Sequence, residues 1–102
     1  MDMLIRPRRN RRSEAVRTLV RENAITPGDL IWPVFLMGGE GGRVPVKSMP
    51  GVDRMSIDVL VSEAREAHAL GIPALALFPV VEDALKDRLA TESTNPDGLL
   101  QR

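Results

Sequence analysis

The sequence predicts an α/β fold, a β–α–β unit preceded by a basic arm, and three observations carry that expectation. Residues 30–37 (LIWPVFLM) and 74–80 (ALALFPV) are apolar runs of strand length. Having no polar face, they suit strands of a parallel sheet covered on both sides. Between them, residues 56–70 (SIDVLVSEAREAHAL) carry the strongest helical periodicity in the chain. Parallel neighbours need a long crossover, and a helix of this length supplies one, right-handed by the usual rule. At 102 residues there is room for one small domain.

Taken in order, residues 1–12 show no hydrophobic period, and Pro7 opposes helix, so an extended arm is expected. Ser13 is placed to cap a short helix that brings Val16, Leu19 and Val20 onto one stripe and ends near Asn23. Thr26-Pro27-Gly28-Asp29 breaks it. The first strand follows, although Pro33 inside it lacks a ladder donor and fits best near a strand start or an irregularity. GGEGG, residues 38–42, is a flexible loop; no Gly-Lys-Ser/Thr follows and no helix opens on it, which excludes a phosphate-binding loop. Three turn signals make residues 43–55 (RVPVKSMPGVDRM) irregular.

Ser56 then caps the main helix, whose apolar stripe is Ile57, Leu60, Val61, Ala64, Ala67 and His68. Asp58 complements its dipole, Gly71 is placed for a left-handed end, and Pro73 stops continuation. After the second strand, residues 81–94 are expected to be weakly helical, from Leu85 and Leu89 alone. Asn95 with Pro96 predicts a further helix start, cut off at Arg102, as in an incomplete chain. The division is therefore residues 1–29, a basic arm with a short helix, and residues 30–102, a β–α–β body.

Charge follows the same division. The net charge is zero, yet residues 1–22 hold seven arginines against Asp2, Glu14 and Glu22, and the remainder is acidic by the same margin. Absence of cysteine excludes disulfides and thiolate metal ligands within these 102 residues. No run approaches the roughly 20 apolar residues of a membrane span, and Met3-Leu4-Ile5 is too short for a signal-peptide core. The arginine-rich start has the composition of a transit peptide, but a helix follows at once; a cytoplasmic protein is the expectation.

No residue pattern here forms an active site by itself. His68, the lone histidine, sits at the edge of the helical stripe and is read as structural. A nucleophilic lysine needs burial or neighbouring cations. Lys86 instead has Glu82, Asp83 and Asp87 around it, and Lys47 lies in a Gly/Pro-rich loop. The acidic trio reads as a solvated face rather than a cation site. Ser13, Ser48, Ser56 and Ser62 lack a nucleophile-elbow context. RPRRNRRS, with Arg6, Arg8, Arg9, Arg11 and Arg12, offers salt-dependent phosphate affinity but no aromatic for base stacking. The same guanidinium groups can equally dock on acids and carbonyls of a partner subunit. A small basic-armed nucleic-acid- or protein-binding module is thus one reading of the chain.

RPRRNRRS, LVREN, DLIWPVF, SMPGVDRMSID, LGIPALALFPV and NPDGLLQR occur in this order over nearly the whole chain. Together they resemble the N-terminal third of the porphobilinogen synthase (5-aminolevulinic acid dehydratase) family, most closely its bacterial members. The resemblance implies the first βα units of a TIM (β/α)8 barrel, incomplete in this chain. It implies a lyase that condenses two 5-aminolevulinate molecules to porphobilinogen in haem and porphyrin biosynthesis. A homo-octamer held by arms is implied as well, with the arm arginines as subunit contacts and nucleic acid not a partner. The family's two Schiff-base lysines lie on later strands, so no catalytic residue and no metal ligand is expected in this fragment, which should be inactive alone. Magnesium is favoured over zinc as the family metal. Phe78 matches a phenylalanine lining the substrate pocket, with barrel core as the other reading.

Overall fold

The computed structural model describes Ile5 and residues 7–102; Arg6 lies outside the described residues. The arm contains one 3-10 turn at Arg9–Arg11 and helix α1, Glu14–Leu19, rather than extended chain throughout. Ser13 caps α1 as expected, its hydroxyl accepting from the Val16 N–H at 3.3 Å. The helix stops short of Asn23 because its stripe finds nothing to pack on: Leu19 and Val20 are exposed, and so short a helix has few hydrogen bonds to hold it. The arm makes the molecule long, with a radius of gyration of 20.9 Å against about 13 Å for a compact chain of this size. Before the sheet, Thr26 and Asp29 close a capping box around a 3-10 turn, Asp29 accepting from the Thr26 N–H and hydroxyl at 2.8 and 2.9 Å.

The body is a four-stranded sheet in the order β2–β3–β1–β4. Its strands are β1, Ile31–Leu36, β2, Arg43–Pro45, β3, Asp53–Met55, and β4, Ala74–Pro79. Strands β1 and β4 pair in parallel along their whole length, with helix α2, Ile57–Ala69, between them in sequence, so the β–α–β unit is present. The core is one cluster: Val34 and Leu36 of β1, Met55 of β3 and Leu60 of α2. Trp32, Ile57, Val59 and Leu99 pack around it. Val61 and His68 face solvent, so the buried stripe of α2 is narrower than its apolar periodicity suggests. Gly71 takes φ 91°. It closes a Schellman motif in which the Ile72 N–H donates to the Ala67 carbonyl at 3.1 Å and the Gly71 N–H to His68 at 2.9 Å.

Three expectations are corrected. Residues 43–55 are not irregular: β2 and β3 form an antiparallel hairpin, and β3 joins β1 in parallel at Phe35 and Leu36. Each strand has three residues, too short for an alternating pattern, and is held by neighbours rather than by its own sequence. Residues 81–94 contain only 3-10 turns, at Asp83–Leu85 and Thr91–Thr94, with left-handed Ala90 between them. Leu85 and Leu89 stay exposed, so no apolar face stabilises a helix there. At Pro96 no helix forms. Asn95 Oδ1 does accept from the Asp97 N–H at 3.0 Å, but only turns follow to Arg102.

Pro33 sits in mid-strand without disrupting the sheet, and the ladder explains why. The Val80 N–H donates to the Leu36 carbonyl, while the Met37 N–H turns the other way, to Met55. Alternation then points Trp32, Val34 and Leu36 at β4, and Ile31, Pro33 and Phe35 at the opposite edge. Strand β3 reaches that edge only at Phe35, so the ring nitrogen of Pro33 meets no ladder position that needs a donor.

Candidate active-site face

Strands β1 and β4 present two faces. Residues in register share a face, so Val34 and Leu36 lie with Leu77 and Pro79 on the side where Leu60 of α2 packs. Phe35 and Phe78, also in register, lie on the other. Their rings are 5.7 Å apart between centroids and tilted by 34°, inside the range where aromatic pairs attract. Each is the fifth residue of its six-residue strand, so the pair sits towards the C-terminal ends. Phe78 remains 50% exposed, and Phe35 beside it is half-buried.

The loop leaving β1 at this end is GGEGG, and it is fixed at its far end. Gly41 N–H donates to Asp58 Oδ2 at 2.8 Å and Gly42 N–H to Ser56 Oγ at 2.9 Å. Ser56, fully buried, donates in turn to Asp58 Oδ1 at 2.5 Å, so its hydroxyl serves the loop and does not cap its own helix. The Ser56 hydroxyl, with the Gly41 N–H second, holds the Asp58 carboxyl below the usual carboxylate range. A Cβ at Gly42 would stand 2.3 Å from Met37 Cε, the end of a flexible side chain, and 3.9 Å from Ser56, so a larger residue there displaces the Met37 tip. The hairpin is tied to the same helix through Arg43, which bridges Asp53 at 3.2 Å and Glu63 of α2. Glu63 and Asp53 raise the Arg43 guanidinium above its ordinary range.

Beside the β4 end lies an open cleft of about 690 Å³, walled by Gly38, Pro79, Val80, Glu82, Lys86 and Arg102 among others. That is ample for a small metabolite. Lys86 reaches it while donating to Asp83 Oδ1 at 2.7 Å, and this bond lowers the Asp83 carboxyl. Asp87 is lowered by hydrogen bonds from the Thr91 side chain and backbone. Glu82, Asp83 and Asp87 do not converge: among the described residues no three His, Cys, Asp or Glu side chains come together as a metal site. His68 is exposed on the last turn of α2, and Lys47 is exposed in the hairpin turn. Arg8, Arg9, Arg11 and Arg12 are exposed and outside the ion pairs among the described residues, whereas Arg17 and Arg21 both bind Glu14. Among the described residues no helix is long and apolar enough to cross a membrane.

Sequence reasoning singled out Phe78 and missed Phe35, Gly42 and the Ser56–Asp58 pair as a loop clamp. Each phenylalanine stands two residues before the end of its apolar run, a hint at a shared level in the sheet, but the register that makes them neighbours is set by the structure. The clamp had none, since Ser56 and Asp58 read equally well as ordinary helix-start residues.

Comparison with known proteins places these features in a wider setting. Residues 4–102 match the sequence profile of the family described as delta-aminolevulinic acid dehydratase. A delta-aminolevulinic acid dehydratase of Bradyrhizobium diazoefficiens is 49% identical over 100 residues, covering 98% of this chain and 28% of the relative. One from Synechocystis is 46% identical over 98 residues, with 96% and 29% covered. Among solved structures, the delta-aminolevulinic acid dehydratase (porphobilinogen synthase) of Toxoplasma gondii, in complex with the reaction product porphobilinogen, superposes with a TM-score of 0.81. It is 51% identical over 96% of this chain and 28% of its own. The chain thus spans a little over a quarter of the length of these relatives.

Proposed function

The chain belongs to the delta-aminolevulinic acid dehydratase family, and we propose that it supplies the arm and first two βα units of a porphobilinogen synthase. In this reading β1 and β4 are the first two strands of a (β/α)8 barrel and α2 is its first outer helix. The observation that carries it is the agreement, at a TM-score of 0.81 and 51% identity, with an enzyme bound to porphobilinogen. The geometry is consistent with it. In such barrels chemistry sits at the C-terminal ends of the strands, which is where Phe35, Phe78, the clamped glycine loop and the open cleft gather.

The roles of this chain's residues follow. Phe78, on the face turned away from α2, lines the pocket that receives 5-aminolevulinate, and Phe35 props its ring. Ser56 and Asp58 hold the loop after β1 in place. Arg6, Arg8, Arg9, Arg11 and Arg12 clasp a neighbouring subunit of a cytoplasmic homo-octamer. Neither lysine suits Schiff-base chemistry: Lys47 is exposed in a turn and Lys86 is engaged by Asp83. In this reading the family's metal, magnesium or zinc in its place, is held by ligands outside this chain; among the described residues no three His, Cys, Asp or Glu side chains come together. The 102 residues alone are therefore inactive. Porphobilinogen formation from 5-aminolevulinate, followed by colour with p-dimethylaminobenzaldehyde, tests this. The isolated chain should give none, and product from the isolated chain would refute the assignment of the lysines.

A further inference from the structure

Among the described residues one non-glycine takes a positive φ, Ala90 at φ 52° and ψ 43°. Left-handed backbone crowds an alanine Cβ against the following carbonyl, so the conformation persists only where neighbours impose it. Here they do so from both sides. Asp87 Oδ1 accepts from the Leu89 N–H and the Thr91 N–H, each at 3.0 Å, and so brackets Ala90. The Asp87 carbonyl accepts from the Ala90 N–H at 3.2 Å. On the far side, the Ala90 carbonyl accepts from the Ser93 hydroxyl at 2.6 Å and the Ser93 N–H at 2.9 Å. Ser93 is itself tied down, its carbonyl accepting from Gln101 Nε2 at 2.9 Å. Every one of these bonds lies within residues 87–101, so the turn is imposed by its own neighbours in sequence.

The turn stands in the connection that leaves the C-terminal end of β4, and Asp87, Ala90 and Ser93 share the wall of the cleft with Pro79 and Val80. We propose that Asp87 is a positioning residue for the porphobilinogen synthase reaction, holding Ala90 left-handed so that the loop after β4 keeps one shape beside the substrate site. The role rests on the reading above, in which that end of β4 faces 5-aminolevulinate. Asp83 is engaged by the Lys86 side chain, whereas Asp87 directs its oxygen at backbone and thereby sets the path of the chain. Without that carboxylate Ala90 returns to ordinary backbone, and the held loop falls to about a tenth of the population. Substrate then binds a minor form, which raises KM in proportion and leaves the chemical step as it was.

The test uses a chimera in which residues 4–102 replace the matching segment of the Bradyrhizobium relative. Asp87→Ala should raise KM for 5-aminolevulinate about tenfold with kcat within about twofold, and should speed amide exchange at Leu89 and Thr91. Asp87→Asn keeps an acceptor and should recover most of the protection and of the KM. Ala90→Gly added to Asp87→Ala should return KM to within about threefold of the parent, because glycine takes the left-handed turn unaided. A carboxylate that touched substrate would not be replaced by a glycine elsewhere in the turn, and one that served stability alone would leave KM unmoved. Unchanged exchange in Asp87→Ala, or lost protection with KM unaltered, would overturn the proposal. So would a double variant no better than Asp87→Ala. A folded parent chimera without turnover would refute the synthase reading and this role with it, whereas a failure confined to the variants strikes the role alone.

Discussion

Replacing Ser56 by alanine removes one hydroxyl that does three things. It accepts from the Gly42 N–H at 2.9 Å, donates to Asp58 Oδ1 at 2.5 Å and lies within 3.4 Å of the Gly42 carbonyl. The side chain is fully buried, so water does not stand in for it without a rearrangement. A buried donor left without a partner costs about 1–3 kcal/mol. Gly42 is only half-buried, and its carbonyl keeps the bond from the Ser56 N–H at 3.0 Å, which puts the expected loss at the low end, about 1–1.5 kcal/mol. The assay is urea unfolding of a chimera in which residues 4–102 replace the matching segment of the Bradyrhizobium relative, with amide exchange at Gly41 and Gly42 as the local readout. Ser56→Ala should lower the midpoint and speed exchange at both glycines. Ser56→Thr should keep the exchange protection while losing stability to an extra methyl group in a closed site. An unchanged midpoint with unchanged protection would refute the claim that this hydroxyl holds the loop.

Three further outcomes follow from the same structure. Gly71→Ala forces an alanine to φ 91° and should cost about 1–2 kcal/mol in the same unfolding measurement, with Gly71→Asn costing less. Leu60→Ala, at 7% exposure in the main cluster, should cost about 2–5 kcal/mol, whereas Val61→Ala on the open side of α2 should change little. The Asp58 carboxyl is lowered in the fold, so its clamp contributes fully above the unfolded aspartate value of about 3.9 and is lost as pH falls through the lower folded value. Gly41 exchange, corrected for intrinsic rates, should show the loop loosening in that acid window and not between pH 5 and 8.

What the sequence made legible were elements that carry their own reason to form. The two parallel strands are long and apolar on both faces, and α2 repeats its stripe over three turns and ends at a glycine whose left-handed φ was expected. The β2–β3 hairpin was missed because its three-residue strands owe their pairing to β1, and Pro45, Pro50 and Gly51 read locally as turns. The opposite error was made after Val80, where Leu85 and Leu89 have helical spacing but nothing to bury against. Phe78 could be picked out from a family resemblance; its meeting with Phe35 depends on strand register, which spacing alone does not set. Pro33 posed a real conflict with a strand, and only the direction of the ladder removed it.

The arm arginines distinguish a subunit clasp from a nucleic-acid arm. Alanine at Arg8, Arg9, Arg11 and Arg12 in the chimera should dissociate the oligomer in sedimentation. The rival reading, a nucleic-acid arm, instead requires the 102-residue chain to bind single- or double-stranded nucleic acid with a steep salt dependence.

The initial rate of porphobilinogen formation by the chimera tests most directly the proposal that these residues serve as the first quarter of a porphobilinogen synthase. Turnover should lie within about tenfold of the parent relative, a difference of about 1.4 kcal/mol in the barrier. A chimera that folds and assembles as its parent does, yet forms no porphobilinogen, would contradict it.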